Sequence, residues 1–210
     1  MRSFKTPFPG SVLQPIQRGV LSYKYKGVPC LKSPIDICIY MKLLWDLKPG
    51  TIIEIGSKHG GSALFFADLM QSYGLETHVY SIDLERPDLT DPRITFLEGD
   101  VNHLDDSFAA HGLSDCPRPW FVNEDSAHTY AGCLAALRVL GREMQTGDLL
   151  AMEDGNLVEL GLSERYDGGP NRAIAEFFEA SPDVFEIATE LCDMFGQNAT
   201  YNPNGYLRKT

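Results

Sequence analysis

The sequence predicts an α/β protein: a doubly wound, mostly parallel sheet with helices on both faces. Three observations carry this. Five short apolar or β-branched runs recur along the chain: TIIEIG (51–56), HVYSID (78–83), ITFLEG (94–99), WFVNED (120–125) and DLLAMED (148–154). Amphipathic stretches separate most of them, notably GSALFFADLMQSYG and HTYAGCLAALRVLGREM. The runs are apolar nearly throughout, as strands buried on both faces must be.

The remaining elements follow in order. Residues 1–34 hold Pro7, Pro9, Gly10, Pro15, Gly27, Pro29 and Pro34, too many breakers for a long helix. From Ile35 to Leu47 apolar residues recur at helical spacing and stop at Pro49-Gly50, which predicts one helix. After the alternating region, FEIATELC (185–192) and ATYNPNGYLRK (199–209) follow without a clear helix between them. They are expected to pair and to bring an antiparallel strand to the sheet edge. The organisation is thus an N-terminal segment, 1–34, and a single domain, 35–210.

Composition excludes several classes. With 210 residues and 43% hydrophobic content, the chain can bury a core. Lys+Arg of 18 against Asp+Glu of 29 gives a net charge of -11, and no basic run interrupts it. Binding to nucleic acid or to an anionic membrane is therefore not expected. The five cysteines are scattered and never form CxxC, which predicts reduced, buried thiols and no zinc site. MRSFKTPFPG has no long apolar segment behind it, so neither a signal peptide nor a membrane span is expected. A soluble cytoplasmic protein is the default expectation.

The chemistry lies at the strand ends, where doubly wound sheets bind ligands. The first strand runs into Glu54-Ile55-Gly56-Ser57-Lys58-His59-Gly60-Gly61-Ser62. Its glycines allow a sharp turn and close approach to a ligand, and a helix start beyond offers free N–H groups. The spacing is neither GxGxxG nor a GK[ST] phosphate loop. An acid ahead of the glycines suits a ligand with an amine or sulfonium centre better than a diphosphate. Asp83 ends the second strand, where a carboxylate can take both ribose hydroxyls, and Asp100 follows the third, within reach of an adenine edge. Together Glu54, Asp83 and Asp100 resemble the S-adenosylmethionine site of class I methyltransferases.

Asp125 closes the fourth strand, and Glu153 with Asp154 closes the fifth. If those ends lie side by side, the three carboxylates converge, and a hard divalent cation with oxygen ligands relieves their repulsion. Mg²⁺ is expected, with Mn²⁺ or Ca²⁺ as substitutes. The competing explanation is that Asp125-Ser126 caps the following helix. His128 lies three residues after Asp125, one helical turn away, and is the candidate base that deprotonates an acceptor hydroxyl. His59, in the glycine turn, is a second candidate.

Taken in order, KSPIDICIY, TIIEIGSKHGGSALFFAD, EDSAHTYAGCLAALR, LLAMEDGN and NPNGYLRK resemble the cephalosporin hydroxylase / rhamnosyl O-methyltransferase family, over about residues 23–210. The resemblance implies S-adenosylmethionine as methyl donor and a hydroxyl of a sugar or glycosylated natural product as acceptor. It puts metal ligands at Asp125, Glu153 and Asp154, the base at His128, and the cofactor turn at Gly56, Ser57, Gly60, Gly61 and Ser62, with the ribose acid at Asp83. It also implies that the segment around Lys32 and Ser33 closes over the cofactor, with Tyr23 or Tyr25 nearby, and that the chain forms a homo-oligomer, for which Phe4, Phe8, Val12 and Leu13 offer apolar contacts. Nothing in the chain supports the word hydroxylase: there is no 2-His-1-carboxylate or haem-thiolate pattern. The stretch 157–170, LVELGLSERYDGGP, follows the metal-binding strand and is expected to border the acceptor pocket. Two alternatives stay open: a catechol, nitrogen or carbon acceptor with the same metal site, or a non-catalytic cofactor-binding subunit.

Overall fold

A computed structural model of the chain describes residues 2–210. A seven-stranded sheet forms the centre: β3 (Thr51–Ile55), β4 (His78–Asp83), β5 (Ile94–Glu98), β6 (Trp120–Glu124), β7 (Leu149–Met152), β8 (Phe185–Ile187) and β9 (Tyr206–Lys209), in the order β5-β4-β3-β6-β7-β9-β8. The strands from β3 to β7 pair in parallel, and β9 runs antiparallel to both β7 and β8. A small hairpin, β1 (Lys24–Tyr25) and β2 (Val28–Pro29), stands apart.

Neighbouring residues on each strand feed opposite cores, which explains the continuous apolar runs. Ile53, Val122 and Leu150 pack under α4 (Leu104–His111), α5 (Tyr130–Glu143) and α6 (Gly169–Ala180), with Phe108, Leu137, Leu140 and Phe177. Ile52, Phe121 and Leu149 pack on the other face against α2 (Pro34–Leu47), α3 (Gly61–Ser72) and α7 (Thr189–Cys192), with Tyr40, Leu44, Phe66 and Leu191. Burial of this kind contributes roughly 1.5–3 kcal/mol for each large side chain.

Two expectations are corrected. Residues Gly10–Ser22 form a 13-residue helix, α1, in spite of Pro15. Pro15 forfeits one backbone bond and crowds the carbonyl of Ser11, and the burial of Leu13 and Val20 holds the helix in spite of that cost. Leu13 is thereby used inside the chain and is not free for contacts between subunits. The antiparallel strand β9 is not at the edge: Tyr206 and Leu207 are fully buried, so it lies between β7 and β8, and the half-buried β8 takes the edge.

The sheet reverses direction of strand order between β3 and β6, and three backbone bonds align the strand ends there. Gly56 N donates to Ile82 O (2.7 Å), Asp125 N to Ile55 O (2.8 Å) and Glu153 N to Glu124 O (2.9 Å). The glycine turn, Asp125 and Glu153 are therefore neighbours before any side chain is placed. Among the described residues, no helix is long and apolar enough to cross a membrane.

Candidate active site at the switch point

Two cavities open at these strand ends. One, about 370 Å³, is bordered by Asp83, Gly99, Asp100 and Asn102. The other, about 330 Å³, is bordered by Ser57, His59, Ser62, His128 and Asp154 below, and by Gln17, Val20 and Leu21 of α1 with Leu157, Leu160, Leu162 and Tyr166 above. Both share Gly56, Lys58, Asp125, Ser126 and Ala127, so one strip of backbone divides them. The stretch 157–170 does border the second cavity, and α1 completes its roof.

The turn itself needs glycine at two places. Gly56 has φ +104, and a Cβ on it would lie 2.2 Å from Asp125 O. A Cβ on Gly61 would meet Pro29 O at 2.2 Å, so this glycine lets α3 pack on the β1–β2 hairpin. Gly60 likewise faces Leu89 and Phe96, and neither it nor Gly61 borders a cavity. Asp83 fixes the turn through its carboxylate, accepting from Lys58 N (2.6 Å) and Leu84 N (2.7 Å). Asp100 accepts from Asn102 N and Nδ2, each at 2.9 Å.

Glu54 departs from expectation. It lies fully buried beneath the turn, takes the Ser81 hydroxyl, and reaches neither cavity. Ser81 in turn bonds Ser57 (2.6 Å). Burial pushes the Glu54 carboxyl up to about 7, against the pull of Lys32, Ser62 and Ser81. Its place is to support the turn, since a buried acid next to a strand end need not face the ligand.

The acidic cluster also differs in detail from the expected three carboxylates. Ligand atoms of Asp125, His128 and Asp154 lie within 4.8 Å of one another. His128 Nε2 stands 3.6 Å from Asp125 Oδ1 and 3.4 Å from Asp154 Oδ2. Glu153 turns inward instead: its Oε1 accepts from Lys32 Nζ (2.5 Å), Tyr40 OH (2.7 Å) and Asn123 Nδ2 (2.6 Å). Asp125 is no helix cap, because Thr129 caps α5 by accepting from Gly132 N. Nor do Asp125 and His128 share a helical turn. They meet because His128 takes a left-handed conformation, φ 53, ahead of the helix.

The positive charge between the acids is Lys32, which sequence reasoning had assigned to a closing segment. Its side chain is 1% exposed and donates to Asp125 Oδ2 (2.5 Å), Glu153 Oε1 (2.5 Å) and Asn123 Oδ1 (3.0 Å). Burial opposes its charge, yet Asp125, Glu153 and Glu54 hold it protonated, above its ordinary range. Burial pushes Asp125, Glu153 and Asp154 upward, with Lys32 and His128 pulling the other way. Burial also opposes charge on His128, but Asp154, Asp125 and Glu124 outweigh it and raise its pKa. The one signal in the sequence was a lone base before Ser33-Pro34 in an acidic chain: Ser33 caps α2 and Pro34 opens it, which fixes where Lys32 stands. Tyr23 and Tyr25 border neither cavity, and Tyr25 bonds Asp68 instead (2.9 Å).

The sheet order, the glycine turn and the acids that end the next strands define a class I methyltransferase, the type that takes S-adenosylmethionine. A family model described as Rhamnosyl O-methyltransferase/CmcI matches residues 17–210. The chain belongs to that family. It is 33% identical over 188 residues to a rhamnosyl O-methyltransferase of Mycobacterium leprae, covering 87% of this chain and 81% of that protein. It is 30% identical over 191 residues to the Mycobacterium tuberculosis protein of the same name, covering 87% and 76%. A solved structure described as cmcI-D160 Mg-SAM matches with a TM-score of 0.70 at 28% identity, over 90% of this chain and 77% of that one.

Proposed function

We propose that the protein methylates a hydroxyl of a sugar or glycosylated small molecule, using S-adenosylmethionine and a divalent cation, Mg²⁺ in the first instance. The observation that carries this reading is the convergence of Asp125, on the strip that divides the two cavities, with His128 and Asp154 at the edge of the second. Two hard carboxylate oxygens beside an imidazole are a donor set that fits such a cation. The names of the relatives, and the Mg-SAM description of the cmcI structure, support the same choice.

When bound, the donor supplies an activated methyl group, and the cation supplies charge against which an acceptor hydroxyl ionises. The chain's own residues do the rest. The first cavity would hold the nucleoside, with Asp83 to take the ribose hydroxyls and Asp100 toward the base. Gly56 and Ser57 bring the turn close to the donor's amino-acid end, and Ser62 borders the second cavity from the start of α3. Asp125 Oδ1 and Asp154 Oδ2 would hold the cation. Glu153 stays in the ligand set only through its other oxygen, since Oε1 already takes three donors. His128 takes the acceptor proton at Nε2, and the two aspartates stabilise the imidazolium. The apolar roof of Val20, Leu21, Leu157 and Leu160 excludes water from an acceptor lying over the acids.

One observation favours a second reading for His128. Its Nε2 converges with both carboxylate oxygens, the place a third cation ligand would take.

The test incubates the protein with methyl-labelled S-adenosylmethionine and a panel of rhamnosides, other glycosides, catechols and amines, with Mg²⁺ or EDTA. Label on a glycoside hydroxyl, lost in EDTA, is the expected result. Full activity in EDTA removes the cation reading. Label confined to catechols or amines moves the acceptor class. Binding of S-adenosylhomocysteine with no transfer to any acceptor points to a non-catalytic subunit.

A further inference from the structure

We infer that the Lys32 ammonium is a built-in counter-ion that occupies one of two cation places in the acidic cluster, leaving the other to a single divalent ion. This rests on the cation reading above. Lys32 Nζ faces three oxygens: Asp125 Oδ2 and Glu153 Oε1, each at 2.5 Å, and Asn123 Oδ1 at 3.0 Å. The three oxygens face one point, and an ammonium with its three N–H donors fills it.

Asp125 divides its carboxylate between the two places. Oδ2 goes to Lys32, while Oδ1 faces His128 Nε2 (3.6 Å) in the open cluster with Asp154. The open place borders a cavity, so its ion can exchange. The filled place does not: Lys32 is 2% exposed and Glu153 4%. Tyr40 and Asn123 close Glu153 Oε1 from the other sides at 2.7 and 2.6 Å. A mobile ion has no route into that space while the lysine stays.

The arrangement has a physical purpose. Without a positive charge, Asp125 and Glu153 would face one another across a buried gap, and their repulsion would push the two strand ends apart. Exchangeable metal cannot prevent this in a chain that has not yet acquired it. A lysine carried by the chain lets the site form before the ion arrives. It also limits how strongly the site attracts that ion, because the ammonium repels a second cation nearby.

The test uses Lys32→Met, which keeps the apolar stem and removes the charge. Wild type and variant are titrated with Mn²⁺, following free ion by electron paramagnetic resonance, and unfolded thermally in EDTA and in Mn²⁺. Wild type is expected to bind one Mn²⁺. The variant should bind Mn²⁺ at least tenfold tighter, and Mn²⁺ should raise its Tm more than that of wild type. If the variant is unfolded in EDTA, folding on addition of Mn²⁺ supports the inference, and failure to fold with Mn²⁺ overturns it. Affinity that is unchanged or weaker, with an equal Tm shift, overturns the inference alone and leaves Lys32 a packing residue. Binding by the variant but not by wild type supports the inference and overturns the cation reading of the native chain. No binding by either overturns both.

Discussion

The backbone N–H of Asp154 donates to Asn202 Oδ1 at 3.0 Å, which ties the last strand end of the site to the loop before β9. Asp154 is left-handed, φ 59, a conformation a non-glycine residue keeps only when its surroundings hold it. Asn202 is itself fixed: its Nδ2 donates to Tyr40, Asp36 and Tyr206, each at 3.3 Å, and its N donates to Thr200 Oγ1 at 2.9 Å. Asn202→Ala should leave the Asp154 N–H without its acceptor, while Tyr40, Asp36 and Tyr206 keep other partners, and cost about 1–3 kcal/mol in urea unfolding. It should also weaken Mn²⁺ binding about 10–100-fold by calorimetry, since it frees Asp154 to turn away. Unchanged Mn²⁺ affinity would mean that Asp154 holds its place without help.

Gly56 offers a sharper test of the turn. Its φ of +104 and the 2.2 Å approach of a would-be Cβ to Asp125 O leave no room for a side chain. Gly56→Ala should push the β3 turn and the Asp125 strand end apart, lose about 2 kcal/mol or more, and abolish binding of S-adenosylhomocysteine. Gly19→Ala is the matched control. It lies inside α1 with open space around it, so alanine should gain roughly 0.5–1 kcal/mol and leave binding unchanged.

His128 separates two chemical roles. Asp154, Asp125 and Glu124 raise its pKa against the effect of burial, so without a cation the imidazolium is favoured, and the base role requires a cation to offset those carboxylate charges. As the base, His128→Ala should lower the methyl-transfer rate by about 10²–10⁴ while Mn²⁺ affinity stays close to wild type. A large loss of Mn²⁺ affinity in the same variant would instead make His128 a cation ligand.

What the sequence disclosed and what it concealed follow a physical pattern. Ile52-Ile53, Phe121-Val122 and Leu149-Leu150 revealed a doubly covered sheet, because burial on both faces removes polar residues locally. The acids at 83, 100, 125 and 154 were legible for the same reason: an apolar run that ends in a carboxylate marks a strand end. Helix α1 was hidden because Pro15 argues locally against a helix, whereas the burial of Leu13 and Val20 that offsets its cost exists only in the fold. Lys32 was hidden more deeply. Its partners lie 91, 93 and 121 residues away, and only the folded topology brings them together. Glu54 and Glu153 show the converse limit: the sequence places an acid at a strand end but does not say whether it faces the cleft or the core.

Glu54 makes that inward orientation measurable through pH. Burial lifts its pKa from 4.5 to about 7. Because the folded value lies above the unfolded one, the folded state binds more protons between those limits, and stability falls as pH rises through the window. Below it both states are protonated and nothing is gained or lost. Above it the cost is complete, about 3 kcal/mol for a shift of this size. Glu54→Gln removes the charge and keeps a partner for Ser81. The variant should therefore be more stable than wild type at pH 8.5, with the gap narrowing toward pH 5, as measured by urea unfolding at several pH values. A gap that does not change with pH would place the Glu54 carboxylate in contact with water, contrary to its burial beneath the turn.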